Sequence, residues 1–343
     1  MTEKSYGGNN GIREHLGGPV KSKTDKPNKT TEKKIEKLNK VSNKITKEID
    51  KEINNYIKAG EIAIKVKEYA RPIIKKDMLL LEIAQMIEKK TYELGGEPAF
   101  PVNLSINEVA AHYHPTLEDE TKATGLLKVD LGIHIEGFIA DTSFSLDLTD
   151  DKKFTSLIKA SEEALENAIK LLDKDPTLND IGKTIQESIE KRGFSPIVNL
   201  SGHSLAPYTI HAGETIPNHA NNSPHRIDPG AYAIEPFATT GEGKIHDGPP
   251  SNIYRVANPR TPRGPTARKI LEYIWMKKQT LPFSLRELQE EFGNISKLGL
   301  KELVDTGIVH SYPQLIEVSK KPVSQAEHTF IKTPDNKIIV TTR

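Results

Sequence analysis

The stretch Val129-Asp-Leu-Gly-Ile-His-Ile-Glu-Gly-Phe-Ile-Ala-Asp141 decides how this chain folds around its candidate site. Its apolar and β-branched residues alternate with period two, and Glu136-Gly137 fits a two-residue turn, so the stretch predicts a β-hairpin. In that register Asp141 lies opposite Gly132, one diagonal step from Asp130, and both carboxylates share one face. The other face is almost wholly apolar and predicts burial against helices.

The carboxylate face of this hairpin has two interpretations. Two carboxylates that reach inward from neighbouring strands could hold metal ions about 3.5–4 Å apart. They could equally be two acids that face solvent on an amphipathic hairpin. The hairpin alone leaves both interpretations open.

Three further residues favour a metal centre. His203 lies in a Gly- and Ser-rich segment, and Glu235 and Glu327 each lie in a short apolar stretch. A carboxylate in such a stretch is costly to bury unless it is paired or bound to a metal. A single buried Glu is usually a satisfied structural acid, but two of them beside a carboxylate pair and a histidine are hard to explain that way.

The order of these five residues resembles the ligand set of the pita-bread metallopeptidases. Local motifs narrow the resemblance to type II methionine aminopeptidases of the archaeal branch, over about residues 53–343. The motifs are Phe100-Pro-Val-Asn-Leu-Ser-Ile-Asn-Glu-Val-Ala-Ala-His112, the hairpin, Gly202-His-Ser-Leu-Ala-Pro-Tyr-Thr-Ile-His-Ala-Gly213, Ile234-Glu-Pro-Phe237 and Ala326-Glu-His328. The resemblance implies an α/β (α+β) pita-bread fold, in which helices flank a curved antiparallel sheet built as two similar halves.

The resemblance also implies a cofactor and a ligand set. Two divalent metal ions (Mn, Fe, Co or Zn) would be held by carboxylate oxygens and one imidazole, a donor set that suits such ions. Asp141 and Glu327 would bridge the ions, Asp130 would complete one site, and His203 with Glu235 would complete the other.

The substrate implied by the resemblance is the N-terminal methionine of nascent polypeptides whose second residue is small. Glu235 would take a proton from the attacking water, His211 would stabilise the oxyanion, and His112 would contact the scissile amide nitrogen. Phe100, Pro101 and Ile210 would line the methionine pocket, although residues that pack in an ordinary core would look the same in the sequence.

Residues 1–50 differ in composition from the rest of the chain. Residues 21–51 contain eleven lysines and five acids, so we expect a disordered tail that becomes helical near residue 45. A basic arm that contacts ribosomal RNA is the alternative. The catalytic domain is expected over residues 51–245 and 311–343, with helices at 53–68, 76–94, 152–173 and 178–192.

Residues 246–310 are predicted to form a helical, winged-helix-like insertion. Its helices are expected at about 266–279, from Ser284 with Glu287 in a capping box, and up to Gly307. Residues 264–307 contain seven basic and six acidic groups, which argues against DNA binding and favours a wall near the substrate entrance. The three aromatic residues expected in its core are Trp275, Tyr273 and Phe292.

The composition of the chain excludes several other classes of protein. The net charge is +1, cysteine is absent, and no apolar run reaches the length of a membrane span, about 18 residues. We therefore expect a cytoplasmic protein with no disulfide, membrane or DNA partner, and the resemblance implies a monomer.

Two other functions are compatible with parts of the sequence. A prolidase or aminopeptidase P would use the same ligands, but we would expect a folded N-terminal domain in place of the lysine-rich segment. A non-enzymatic pita-bread protein would be expected to lack some ligands, whereas all five positions, together with His112 and His211, are present.

Overall fold

The computed structural model describes residues 29–343, and within residues 29–46 it describes the side chains of Lys37 and Lys44 only. Residues 50–343 form one compact unit, and the described residues before Asp50 belong to a second. The helices are α1 (Lys29–Ile73), α2 (Leu80–Glu93), α3 (Thr155–Leu172), α4 (Leu178–Glu190), α5 (Pro265–Lys277), α6 (Leu285–Phe292) and α7 (Ile295–Asp305). The strands are β1 (Glu97–Pro98), β2 (Asn103–Ile106), β3 (Val109–Ala111), β4 (Leu126–Ile135), β5 (Phe138–Asp147), β6 (Ser195–Pro196), β7 (Ser201–Leu205), β8 (Thr215–Pro217), β9 (Gly230–Ile234), β10 (Phe237–Thr239), β11 (Ile245–Val256), β12 (Phe283–Ser284), β13 (Val309–Glu317), β14 (Val323–Gln325), β15 (His328–Lys332) and β16 (Ile338–Val340). Among the helices described, none is both long and apolar enough to cross a membrane.

The predicted hairpin is formed by β4 and β5 in the expected register. Gly132 pairs with Asp141, and the chain reverses at Glu136 and Gly137, whose φ angles are 51° and 87°. Positive φ at both turn positions is the type I′ geometry that matches the twist of a hairpin. Gly137 has no Cβ, so it adopts its positive φ without a steric clash.

The apolar face of the hairpin packs against α1 and α2. Val129, Leu131 and Ile133 are at most 1% exposed and share a core with residues of both helices. Complete burial of one such aliphatic side chain contributes about 1.5–3 kcal/mol relative to exposure. This burial fixes the register, because a slip of one residue would send the apolar side chains to the opposite face.

A second group of strands and helices repeats this arrangement. The five-stranded sheet β16-β15-β9-β7-β8 is antiparallel throughout, and α3 and α4 form the largest part of the core beside it. Each half therefore consists of an antiparallel sheet with two helices packed on it. The predicted α/β class, with helices flanking antiparallel sheets in two halves, is confirmed.

The two halves meet where β5 lies beside the start of β15, which we call the seam. Ser143 and Glu327 form a backbone bridge there. Next to it, the Thr329 hydroxyl accepts a hydrogen bond from the Asp141 amide at 2.7 Å and donates one to the Asp141 carbonyl at 2.8 Å. The Thr142 hydroxyl donates to the Glu327 carbonyl at 2.8 Å. Threonine side chains thus replace part of the backbone ladder.

The N-terminal helix differs from the prediction. α1 is continuous from Lys29, so helical backbone begins well before residue 45, and Pro72 interrupts the hydrogen-bond ladder only in the last turn. Of the tail predicted for residues 1–50, residues 1–28 lie outside the described part of the chain. The other helices in the catalytic region agree with the expected positions to within a few residues.

The region of the helical insertion shows two differences from the prediction. Trp275 was expected in its core but is 51% exposed, because Ala267, Ile270 and Ile274 form the buried face of α5 and the next residue points away from it. Tyr273 and Phe292 do pack edge to face, at 5.4 Å between ring centroids.

The second difference concerns the helix cap and the domain boundary. Ser284 caps α6 by accepting from the Glu287 amide at 3.1 Å, but the Glu287 carboxylate pairs with Lys278 at 3.2 Å, so the cap uses half of the predicted box. β11 begins at Ile245 and pairs with β13, so the boundary at residue 246 falls inside a strand. The division into domains stays a prediction.

Candidate metal centre

Five residues predicted as ligands come from separate elements and line one cavity of about 70 Å³. Asp130 and Asp141 lie on β4 and β5, and His203 lies on β7 opposite Ala233 of β9. Glu235 directly follows β9, and Glu327 directly precedes β15. The fold therefore brings together residues almost 200 positions apart in the sequence.

Distances between these side chains suit shared ligation of cations. The Nε2 atom of His203 lies 3.7 Å from Asp141 Oδ2 and 3.7 Å from Glu235 Oε1. Ligand atoms of Asp141, His203 and Glu327 all lie within 4.8 Å of one another. A close approach of β7 to β9 makes this possible, because a Cβ at Gly202 would collide with the Ala233 carbonyl.

The electrostatics of the site call for positive charge. Burial raises the pKa of Asp130 to about 7. Burial, together with the neighbouring carboxylates, raises the pKa values of Asp141, Glu235 and Glu327 well above their usual range. Four carboxylates cannot remain ionised in such a space without a compensating cation.

The ligand atoms also lack partners, as expected of a metal site. Within residues 29–343, Asp130 Oδ1, Asp141 Oδ1 and Glu327 Oε2 are buried and accept no hydrogen bond. Burial lowers the pKa of His203 to about 3, and the nearby His211 adds to this, so its imidazole is neutral and can offer a lone pair. Carboxylate oxygens and a neutral imidazole fit divalent ions such as Mn, Fe, Co or Zn.

His112 occupies a strained position on the cavity wall. Its φ is +67°, an unusual conformation for a non-glycine residue that costs about 1–3 kcal/mol and often marks a functional site. Its Nδ1 lies 3.1 Å from the Pro313 carbonyl, so Nδ1 carries the proton and donates there. Burial lowers the pKa of His112, and the neutral ring therefore has Nε2 as an acceptor.

His211 and the apolar residues complete the wall. The His211 ring lies 4.4 Å from that of His203, at an interplanar angle of 71°. Phe100 and Ile210 line the cavity as expected. Pro101 is buried, but it is not among the described residues that line the cavity, so its predicted place in the pocket is not supported.

Gly132 makes room for a residue of the cavity wall. The ring of Phe100 packs directly over the Cα of Gly132, where a Cβ would lie 2.6 Å from Phe100 Cδ1. The absence of a side chain therefore makes space for a pocket residue.

The sequence interpretation missed several residues of the cavity wall. Ile253, Pro282 and Tyr312 come from the strands and loop around the helical insertion, and no local motif connects them with the hairpin. Ala111 and Asn103 lie within the quoted motif, and Asn103 is a polar residue at the start of β2, opposite Asp130. That polar residue was a signal that could have been used.

Comparisons with known proteins agree with this site. Residues 54–257 match the model of metallopeptidase family M24, and the chain belongs to that family. The methionine aminopeptidase of Pyrococcus horikoshii is 45% identical over 293 residues, which cover 83% of this chain and 98% of that protein. The predicted membership of the methionine aminopeptidases is confirmed.

Solved structures show the same fold. A thermophilic Arx1 has a TM-score of 0.71 at 18% identity and covers 84% of this chain and 90% of its own. A methionine aminopeptidase from Thermotoga maritima has a TM-score of 0.60 at 19% identity and covers 85% and 97%. The pita-bread fold is thereby confirmed.

Proposed function

We propose that the chain is a metal-dependent methionine aminopeptidase whose active centre is the cavity described above. The observation that carries the proposal is the convergence of four carboxylates and one neutral imidazole, with two further histidines, on a single small cavity. The identity of 45% to a methionine aminopeptidase over 83% of the chain supports the choice of substrate.

Two divalent ions would be held by the five ligands. Asp141 and Glu327 would be shared by the two ions, Asp130 would complete one site, and His203 with Glu235 would complete the other. When bound, such ions lower the pKa of a water molecule to near neutrality and polarise a carbonyl group. Ligand atoms of Asp141 and Glu327 lie within 4.8 Å of each other, which supports a shared role for these two residues.

The remaining residues would hold and transfer protons. Glu235 would accept the proton of the attacking water. The Nε2 atom of the neutral His112 would accept a hydrogen bond from the N–H group of the scissile amide, since Nδ1 already donates to the Pro313 carbonyl. His211 would donate to the oxygen on which negative charge develops.

The pocket suits a methionine side chain. Phe100 and Ile210 form an apolar wall, and a thioether makes favourable contacts with an aromatic ring at about 5 Å. The small cavity is consistent with a small second residue. Because the substrates would be nascent polypeptides with their initiator methionine, we also propose a cytoplasmic location.

Three further assignments come from the sequence analysis. We propose that the chain acts as a monomer. The helical insertion of residues 246–310 would form part of the entrance to the cavity, since Pro282 within it and Tyr312 just after it line the wall. The lysine-rich residues 1–50 could contact ribosomal RNA, and their charge is the support for this.

Release of methionine from Met-Gly-Met-Met tests the proposal. The protein is treated with a chelator, supplied with Mn or Co, and assayed on this peptide and on an X-Pro dipeptide. Metal-dependent cleavage of the methionyl peptide alone is expected.

Asp130→Asn should abolish turnover and reduce the metal content. Asp151→Asn, which removes an exposed acid in the turn before α3, should leave both unchanged. Cleavage of the X-Pro dipeptide alone, or full activity of Asp130→Asn, would overturn the assignment.

A further inference from the structure

Asn103 is a buried polar side chain that the proposed chemistry does not use. It lies on β2, is 5% exposed and lines the cavity. In the ladder between β2 and β4 it pairs directly with Asp130. Side chains that face each other in such a pair lie about 4.5–5.5 Å apart at Cβ, so Asn103 and Asp130 border the same part of the cavity.

The orientation of the Asn103 amide is fixed by one hydrogen bond. Its Nδ2 donates to the Pro101 carbonyl at 3.1 Å. A carbonyl can only accept, so the amide nitrogen must occupy this position and Oδ1 must lie on the other side. The short stretch from Pro101 to Asn103 thus sets which atom is presented.

The Asn103 Oδ1 atom needs a donor. It is buried, and no donor within the described part of the chain reaches it. Its partner in the ladder, Asp130, is ionised when it binds a cation and can then only accept. The proton on Nδ1 of His112 is already donated to Pro313.

We propose that Asn103 Oδ1 accepts a hydrogen bond from the α-amino group of the N-terminal methionine. This inference rests on the proposed function. The thioether side chain of the substrate has no donor, and the scissile N–H is assigned to His112. The α-amino group is the donor that remains near the reacting bond, and an ammonium donor makes a stronger hydrogen bond than a neutral one.

The consequence is a specificity for free N-termini. A free amine offers several N–H donors, whereas an acylated amine offers one and has lost its charge. Asn103 would therefore help to exclude blocked N-termini and internal methionines, and the apolar wall with Phe100 would recognise the side chain separately.

Calorimetric binding of two ligands to the metal-loaded protein tests this assignment. The ligands are L-methionine and its des-amino analogue, 4-(methylthio)butanoate. Asn103→Leu, which is close in size but cannot accept, should raise the Kd of methionine by about 10- to 100-fold, as expected for loss of a hydrogen bond to a charged group. The Kd of the des-amino analogue should change by less than about twofold, since that ligand lacks the amine.

Two further variants serve as a replacement for Asn103→Leu and as a control. Asn103→Ala should show the same selective loss if Asn103→Leu does not fold. Phe100→Leu is the matched control, because it alters the pocket for the thioether and should weaken both ligands alike.

Three outcomes would overturn the inference: equal weakening of both ligands by the Asn103 variants, no weakening of methionine, or a loss of bound metal from these variants. Failure of the proposed function is distinguishable, since the wild-type protein would then release no methionine from Met-Gly-Met-Met.

Discussion

Gly132→Ala should damage the proposed methionine pocket while leaving the proposed metal ligands in place. The added Cβ would lie 2.6 Å from Cδ1 and 3.0 Å from Cζ of Phe100, closer than non-bonded carbon atoms approach. The Phe100 ring must therefore move, and overpacking of this kind costs about 1–3 kcal/mol. If that energy is lost from binding of the transition state, kcat/KM falls by about 5- to 150-fold.

The assay is kcat/KM for Met-Gly-Met-Met, with metal content and Tm measured on the same samples. Gly230→Ala is the control, because the nearest atom to its added Cβ is an ordinary contact at 3.4 Å. Phe100→Leu removes the obstructing ring, so in the double variant the effect of Gly132→Ala should be smaller than in the wild type. Strictly additive effects, or an unchanged kcat/KM in Gly132→Ala, would refute the packing argument.

The remaining predictions concern pH, the insertion and metal affinity. The pKa of Asp130 is raised to about 7 in the folded metal-free protein, so the stability that this acid contributes is lost as pH rises from about 4 to about 7. Asp130→Asn should therefore gain Tm relative to wild type across this window in the presence of chelator, and a constant difference would contradict the assignment. Arg286→Met should lower the free energy of unfolding by about 3–5 kcal/mol because Arg286 is buried and paired with Glu88 at 2.6 Å. Arg192→Met, at the more exposed pair of Arg192 with Glu163, should cost less than about 1 kcal/mol. Equal urea midpoints for Arg286→Met and Arg192→Met would refute the difference. Gln325 donates to Glu235 at 3.4 Å, so Gln325→Met should weaken metal binding by about 10- to 100-fold, and unchanged calorimetric affinity would count against it.

The parts of the fold set by local periodicity could be predicted from the sequence. Period-two alternation and a Gly turn gave the pairing of Gly132 with Asp141 correctly. The exposure of Trp275 was missed because an aromatic residue on an amphipathic helix was assumed to face the core. The strand β11 is hard to predict because Gly248 and the two prolines after it are unfavourable in regular strands, yet the strand accommodates them with shifts in register.

The candidate site, too, could be predicted only where short stretches of sequence define it. The five ligands lie in motifs that can be recognised, and the structure brings all five together. Tyr312 and Ile253 reach the cavity through long-range pairing of strands, which no short stretch of sequence encodes. The strain at His112 is also invisible in the sequence, because a positive φ depends on the tertiary contacts that hold it, among them the bond to Pro313.

Because the proposed ligands lie on both sides of the seam, bound metal ions would also affect the stability of the fold. Asp130 and Asp141 belong to one half of the molecule, and His203, Glu235 and Glu327 belong to the other. Ions held by both sets would act as a cross-link between two bodies that each have their own hydrophobic core. The free energy of metal binding would then count toward the association of the halves, so the concentration of available metal would regulate how long the molecule survives as well as how fast it works.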